Sequence, residues 1–194
     1  MKLTNIVLAL SAFLLSCNDS QNKGSVETDQ PAQSEHLAFF PVTDFISGQI
    51  AEIKKEGINP IKITSINNRQ DSAWLKVEEL DNEFAPFLSP VIDSTNLAGL
   101  FSEKSFLDQT VNAFTLTYDP IKQLPDSFSL QRWDVYIDPQ SNTVRRVYLL
   151  KKSPDDKTSQ LTWQSGKSCK IVTISKDNKG NDHVEKEVTI KWDF

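Results

Sequence analysis

Two histidines and two cysteines in 194 residues leave little of the side-chain chemistry that most often marks a site. His36 and His183 are far apart in sequence, so neither a multi-histidine zinc centre nor a histidine acid–base pair is expected. Paired cysteines at metal-ligand spacing do not occur, nor does a glycine-rich phosphate loop or a nucleophile elbow. On these grounds no cofactor, metal or catalytic residue is expected. No apolar run reaches the ~20 residues that a helix needs to cross a hydrocarbon core of ~30 Å. Positive charge is also scarce. Twenty-one Lys and Arg face 26 Asp and Glu, a net charge of −5, so nucleic acid is not an expected partner. With 38% hydrophobic and 9% aromatic residues, the composition is that of a globular domain and excludes collagen-like, coiled-coil and wholly disordered chains.

The most specific stretch is MKLTNIVLALSAFLLSC at the start. Lys2 supplies a positive n-region, and Ile6 to Leu15 form an apolar run interrupted only by Ser11, the form of a secretory signal peptide. Within it, Leu14-Leu15-Ser16-Cys17 resembles the lipobox of bacterial lipoproteins: Leu three residues before the cysteine, a small residue just before it, and Cys at the cleavage edge. The resemblance covers these 17 residues. It implies that residues 1–16 are a lipoprotein signal peptide. It further implies that Cys17 becomes the new N-terminus, carries a diacylglyceryl thioether and is N-acylated, palmitate being a usual chain. Three acyl chains at ~0.8 kcal/mol per buried methylene anchor a protein far more firmly than one. The expected location is therefore the cell envelope, with the membrane held through acylated Cys17. Asn18 is not the Asp that commonly retains lipoproteins in the inner membrane, so the resemblance favours the outer membrane.

Residues 17–38 read as a disordered tether. The stretch NDSQNKGSVETDQPAQSEHLA has few apolar residues and no aromatics, too little to offset ordering entropy. As a coil it spans roughly 25 Å on average, enough to lift a folded body clear of lipid headgroups. Residues 39–194 form the expected single globular domain, nearly balanced in charge. Once Lys2, Lys23 and the tether acids Asp19, Glu27, Asp29 and Glu35 are set aside, 19 basic and 22 acidic residues remain.

Within that domain, Pro41 to Glu56 has a helical stripe of Phe45, Ile46, Ile50 and Ile53, and Gly57-Ile58 has the form of a helix stop with a hydrophobic contact. IKITSI and SAWLKV flank a turn-like Asn67-Asn68-Arg69-Gln70 and read as a hairpin. Glu79 to Leu88 is a short helix, Asp93 a turn cap, and Thr110 to Tyr118 a strand. Five further strands are expected at 128–138, 143–152, 158–164, 168–175 and 183–194. Their joints are short and rich in Pro, Gly, Asn and Asp, so successive strands should be antiparallel neighbours. The inward face switches near Gln131-Arg132, as a β-bulge requires. The expected fold is α+β: a curved antiparallel sheet of seven or eight strands, with a C-terminal five-strand meander, packed on an N-terminal helix.

Functional candidates are few. Cys169 shares a strand face with Ile171 and reads as a buried small hydrophobe. Lys176 to Asp182 superficially resembles a calcium loop but lacks the distal glutamate and has two lysines among the ligand positions, so a hairpin turn is expected. Asp134 and Asp193 each follow a tryptophan and should point to solvent, and alternation should send Arg145 and Arg146 to opposite faces. The functional expectation is a non-enzymatic binding or assembly component of the envelope, with a protein partner or an apolar ligand. The alternatives are a carrier of a lipid-like ligand, with Trp74, Trp133, Trp163 and Trp192 as pocket walls, and an exported hydrolase that works through a carboxylate pair.

Overall fold

The computed structural model describes residues 38–67 and 69–193. Cys17, the 1–16 leader and nearly all of the 17–38 segment lie outside the described residues. The first element is α1 (Val42–Lys55), which buries Val42, Ile46, Ile50 and Ile53 on one stripe. Asp44 in its first turn and Lys54 and Lys55 in its last complement the helix dipole. The helix stops where the sequence says it should. Gly57 takes φ +67, its N–H bonds to Lys54 O, and the Ile58 N–H reaches back to Ile53 O. That is a Schellman motif, which glycine enters without the steric cost of a Cβ.

After it come β1 (Ile61–Ile66), β2 (Arg69–Trp74), a 3-10 turn over Val77–Glu79 and α2 (Leu80–Leu88). Seven strands complete the domain: β3 (Phe101–Asp108), β4 (Ala113–Pro120), β5 (Leu130–Ile137), β6 (Val144–Lys152), β7 (Thr158–Gln164), β8 (Ser168–Lys176) and β9 (Asp182–Lys191). They form one open antiparallel sheet in the order β2-β1-β9-β8-β7-β6-β5-β4-β3. The expected C-terminal meander is present as β5 to β9 and extends back to β3. The domain is mainly β, with two short helices.

Two expectations need correcting. The helix is not N-terminal: α1 opens at Val42, well inside the chain, and shares its task with α2. The sheet has nine strands because β3 was not foreseen. Its sequence, FSEKSFLD, carries no apolar alternation. As an edge strand it is largely exposed, and no buried face imposes a pattern on it.

The core lies between the helices and one sheet face. Trp133 stacks on Tyr118 with centroids 4.5 Å apart and planes 11° apart. Further along, Trp163 meets Trp192 at 5.0 Å, Phe84 at 5.1 Å and Phe87 at 5.3 Å. Three of the four tryptophans thus fill the interior by packing on other aromatic rings, an arrangement stabilised beyond simple area burial. Trp74 is 63% exposed on the edge strand β2. Cys169 is buried at 1% exposure among these residues, opposite Trp163 and Ile190 in the sheet register.

The register of β1 against β9 reverses a natural assumption. Lys62 pairs with Ile190 and Thr64 with Val188, so Lys62 faces the helices while Ile61 and Ile63 face away. Lys62 accordingly meets Glu83 of α2 at 2.6 Å. In β9, Val188 and Ile190 are buried as their alternation implies, but Val184 is 55% exposed. A register shift between Thr173 and Ile174 leaves Glu185 as an extra residue and turns Val184 out of line.

Candidate functional site

Among the described residues no helix lies over the second face of the sheet, and its central strands carry the most distinctive polar chemistry there. Because the helix-facing residues of β5 are Trp133, Val135 and Ile137, the residues between them, Arg132, Asp134 and Tyr136, lie on the uncovered face. Cross-strand register places Thr115 and Thr117 of β4 and Arg146, Tyr148 and Leu150 of β6 beside them.

Asp134 is the centre of this group and corrects its sequence expectation. It is 3% exposed rather than solvated. Its Oδ1 accepts from Thr117 Oγ1 at 2.6 Å, from Arg132 Nη2 at 3.1 Å and from Arg132 Nε at 3.3 Å. A buried carboxylate is tolerated only with such compensation. Burial opposes the Arg132 charge. The hydrogen bond and charge of Asp134, with Asp119 at 3.8 Å, outweigh that and raise its pKa above the ordinary guanidinium value. Partial burial, helped by the Asp134 charge, likewise raises the Tyr148 phenol. A shallow cavity of about 330 Å³ lies over Asp134, Tyr136, Arg146, Tyr148 and Thr162.

Arg145 and Arg146 come together on one groove, against expectation. Between Tyr136 and Ile137 the partners on β6 jump from Arg146 to Val144, leaving Arg145 as an extra residue. That bulge breaks strict alternation, and both arginines line a cavity of about 590 Å³ with Tyr136, Thr143, Ser165 and Lys167. Arg146 lies 3.9 Å over the Tyr136 ring as a cation–π contact. Arg145 donates to Asn112 O at 3.2 Å and sits 3.9 Å from Asp138. The Ser165 hydroxyl is buried there and has no hydrogen-bond partner among the described residues. The local sequence carries no signal for this second bulge, because alternation through Arg145-Arg146 is uninterrupted and only the pairing with β5 displaces it. The bulge foreseen near Gln131 is present, between Leu130 and Arg132.

The remaining candidates stay separate. Asp193 is exposed just beyond β9, and β5 and β9 are four strand spacings apart, roughly 19 Å. Asp134 and Asp193 therefore do not form a glycosidase pair, which needs its carboxyls within about 10 Å. Asp177 spends its Oδ1 on the N–H groups of Lys179 (2.7 Å) and Asn181 (2.9 Å), closing a hairpin turn with Gly180 at φ +82. These bonds, Asn181 first, hold its carboxyl below the usual carboxylate range. Among the described residues, no three His, Cys, Asp or Glu side chains converge as metal ligands. His183 Nε2 lies 3.2 Å from Ser175 Oγ at the exposed end of the β8–β9 hairpin, where cross-strand register alone accounts for the contact.

The fold defines the class: an open nine-stranded antiparallel sheet with two helices on one face and a polar, arginine- and tyrosine-bearing surface on the other. No protein-family model, curated protein or solved structure matches the chain.

Proposed function

We propose that the protein is a lipid-anchored lipoprotein of the cell envelope, in the outer membrane by preference, that binds a partner without catalysing a reaction. The address rests on Leu14-Leu15-Ser16-Cys17, with Cys17 as the site of acylation. Binding by the outer surface of the sheet is supported by one observation above others. The helices cover a single face, and the other carries an ordered Thr117–Asp134–Arg132 network beside half-buried Tyr136 and Tyr148.

A carrier with an internal apolar pocket has less support, because Trp133 is packed on Tyr118 and Trp163 on Trp192 in the core. A carboxylate hydrolase has less support, because the one buried carboxylate among the described residues, Asp134, is held by Thr117 and Arg132. Intact-mass measurement of the full-length gene product purified from envelope fractions tests the anchor. Loss of residues 1–16 and a triacyl mass increment on Cys17 is the expected result. An uncleaved leader, or an unmodified Cys17 thiol in membrane fractions, overturns it. Cys17→Ala should abolish the lipid increment.

A further inference from the structure

The β3–β4 hairpin ends in an unusual concentration of exposed apolar residues. Leu107 is 55% exposed, Phe106 47%, Phe114 38% and Val111 37%. Leu107 and Phe114 are cross-strand partners on the helix-side face, Phe106 lies on the opposite face beside Thr115, and Val111 lies in the connecting turn, so the tip carries apolar side chains on both of its faces. The turn is held in shape by the Asp108 carboxylate, which accepts from Thr110 N–H at 2.9 Å and Val111 N–H at 3.4 Å. A soluble surface pays a hydration penalty for such a cluster, and contiguous exposed apolar residues mark contact surfaces.

The cations stand beside this tip. Val111 belongs both to it and to the lining of the 590 Å³ groove that contains Arg145, Arg146 and Lys167 and has no carboxylate in its lining. Arg145 also bonds directly to Asn112 in the turn. Asp138 lies 3.9 Å from Arg145, Asp108 is engaged by the turn, and the exposed Asp193 follows Trp192, whose N–H bonds to Lys167 O. Among the described residues neither Arg146 nor Lys167 makes an ion pair. Cations this concentrated in a chain of net charge −5 form a local patch and do not reflect overall composition.

An apolar tip flanked by Arg and Lys matches a bilayer interface, where side chains enter the acyl boundary while cations meet lipid phosphates. We infer that the β3–β4 tip and the groove beside it form a docking surface for anionic lipid. Phe106, Leu107, Val111 and Phe114 enter the interface, and Arg145, Arg146 and Lys167 bind the headgroup phosphates. The inference adds a second membrane contact to the proposed anchor but stands on different residues, and its test omits the cysteine.

The full chain carrying Cys17→Ala is mixed with vesicles of phosphatidylcholine alone, or of phosphatidylcholine with phosphatidylglycerol. Leu107→Cys in that background carries an environment-sensitive dye; Cys169, at 1% exposure, does not compete for it. The expected result is a blue shift on the anionic vesicles, weakened tenfold or more by Arg145→Glu with Lys167→Glu. Leu107→Ser with Val111→Ser should reduce sedimentation with the same vesicles without changing the circular dichroism spectrum. Salt should weaken binding, as screening requires. Equal binding to neutral vesicles that both double variants retain would assign the effect to the apolar leader and overturn the inference. So would inorganic phosphate competing far beyond sodium chloride of equal ionic strength, which would make the groove a soluble-anion site.

Discussion

Replacing Asp134 by Ala removes the acceptor at the centre of the uncovered face, and the structure sets the size of the effect. Asp134 Oδ1 takes one bond from Thr117 and two from Arg132. Thr117 is 4% exposed, so its hydroxyl is left buried without a partner, at a cost of about 1–2 kcal/mol. The Arg132 side chain is 44% exposed and regains water, so its loss adds at most about 1 kcal/mol. The expected destabilisation is therefore about 2 kcal/mol, which for a domain of this size lowers Tm by about 4–8 °C. Urea unfolding followed by tryptophan fluorescence measures it directly, since Trp133 is the neighbouring residue on β5.

The decisive comparison is a cycle with Thr117→Val. Once the hydroxyl is gone, Asp134→Ala no longer strands a donor, and the double variant should recover about 1 kcal/mol relative to additivity. Additive effects within 0.3 kcal/mol would show that Thr117 and Asp134 are not energetically coupled and would refute the reasoning.

Other expectations follow from individual sites. Gly57→Ala meets no steric neighbour but forces a Cβ into φ +67, so it should destabilise by about 1 kcal/mol in the same urea assay. Burial raises the Cys169 thiol well above its ordinary range. It should therefore resist a thiol reagent at pH 8 in native protein and react fully in denaturant. Lys151 donates to Pro86 O and Ser89 O at the end of α2, and burial pulls its ammonium down to about 8. Between that value and the ordinary 10.5 the unfolded chain binds the proton more readily, so the stability of the native protein relative to Lys151→Met should rise with pH, by at most about 3 kcal/mol. A pH-independent difference between the two proteins would contradict this.

Residues along the chain announce much of the architecture because local geometry follows from local chemistry. Ile46, Ile50 and Ile53 recur at helical spacing, Gly57 supplies the left-handed residue that ends α1, and Pro, Asn, Asp and Gly joints divide β5 to β9 into a meander. The displaced parity around Gln131 announces its own bulge. These elements could be read because each depends on residues a few positions apart.

The candidate surface could not be read in this way. Which face of β1 turns to the helices was decided by pairing with β9, more than a hundred residues later in the chain, and that pairing sent Lys62 inward and Ile61 and Ile63 outward. Asp134 looked like a solvated strand residue until register set it beside Thr117 and Arg132. The bulge at Arg145, specified by the mismatch between β5 and β6, placed two arginines on one groove that alternation would have separated. Edge strand β3 left no periodic trace because neither of its faces had to be apolar. Sequence alone determined most of the elements, β3 excepted. Only tertiary pairing decided which side chains share a surface, because a one-residue shift in register moves every side chain to the other face of the sheet.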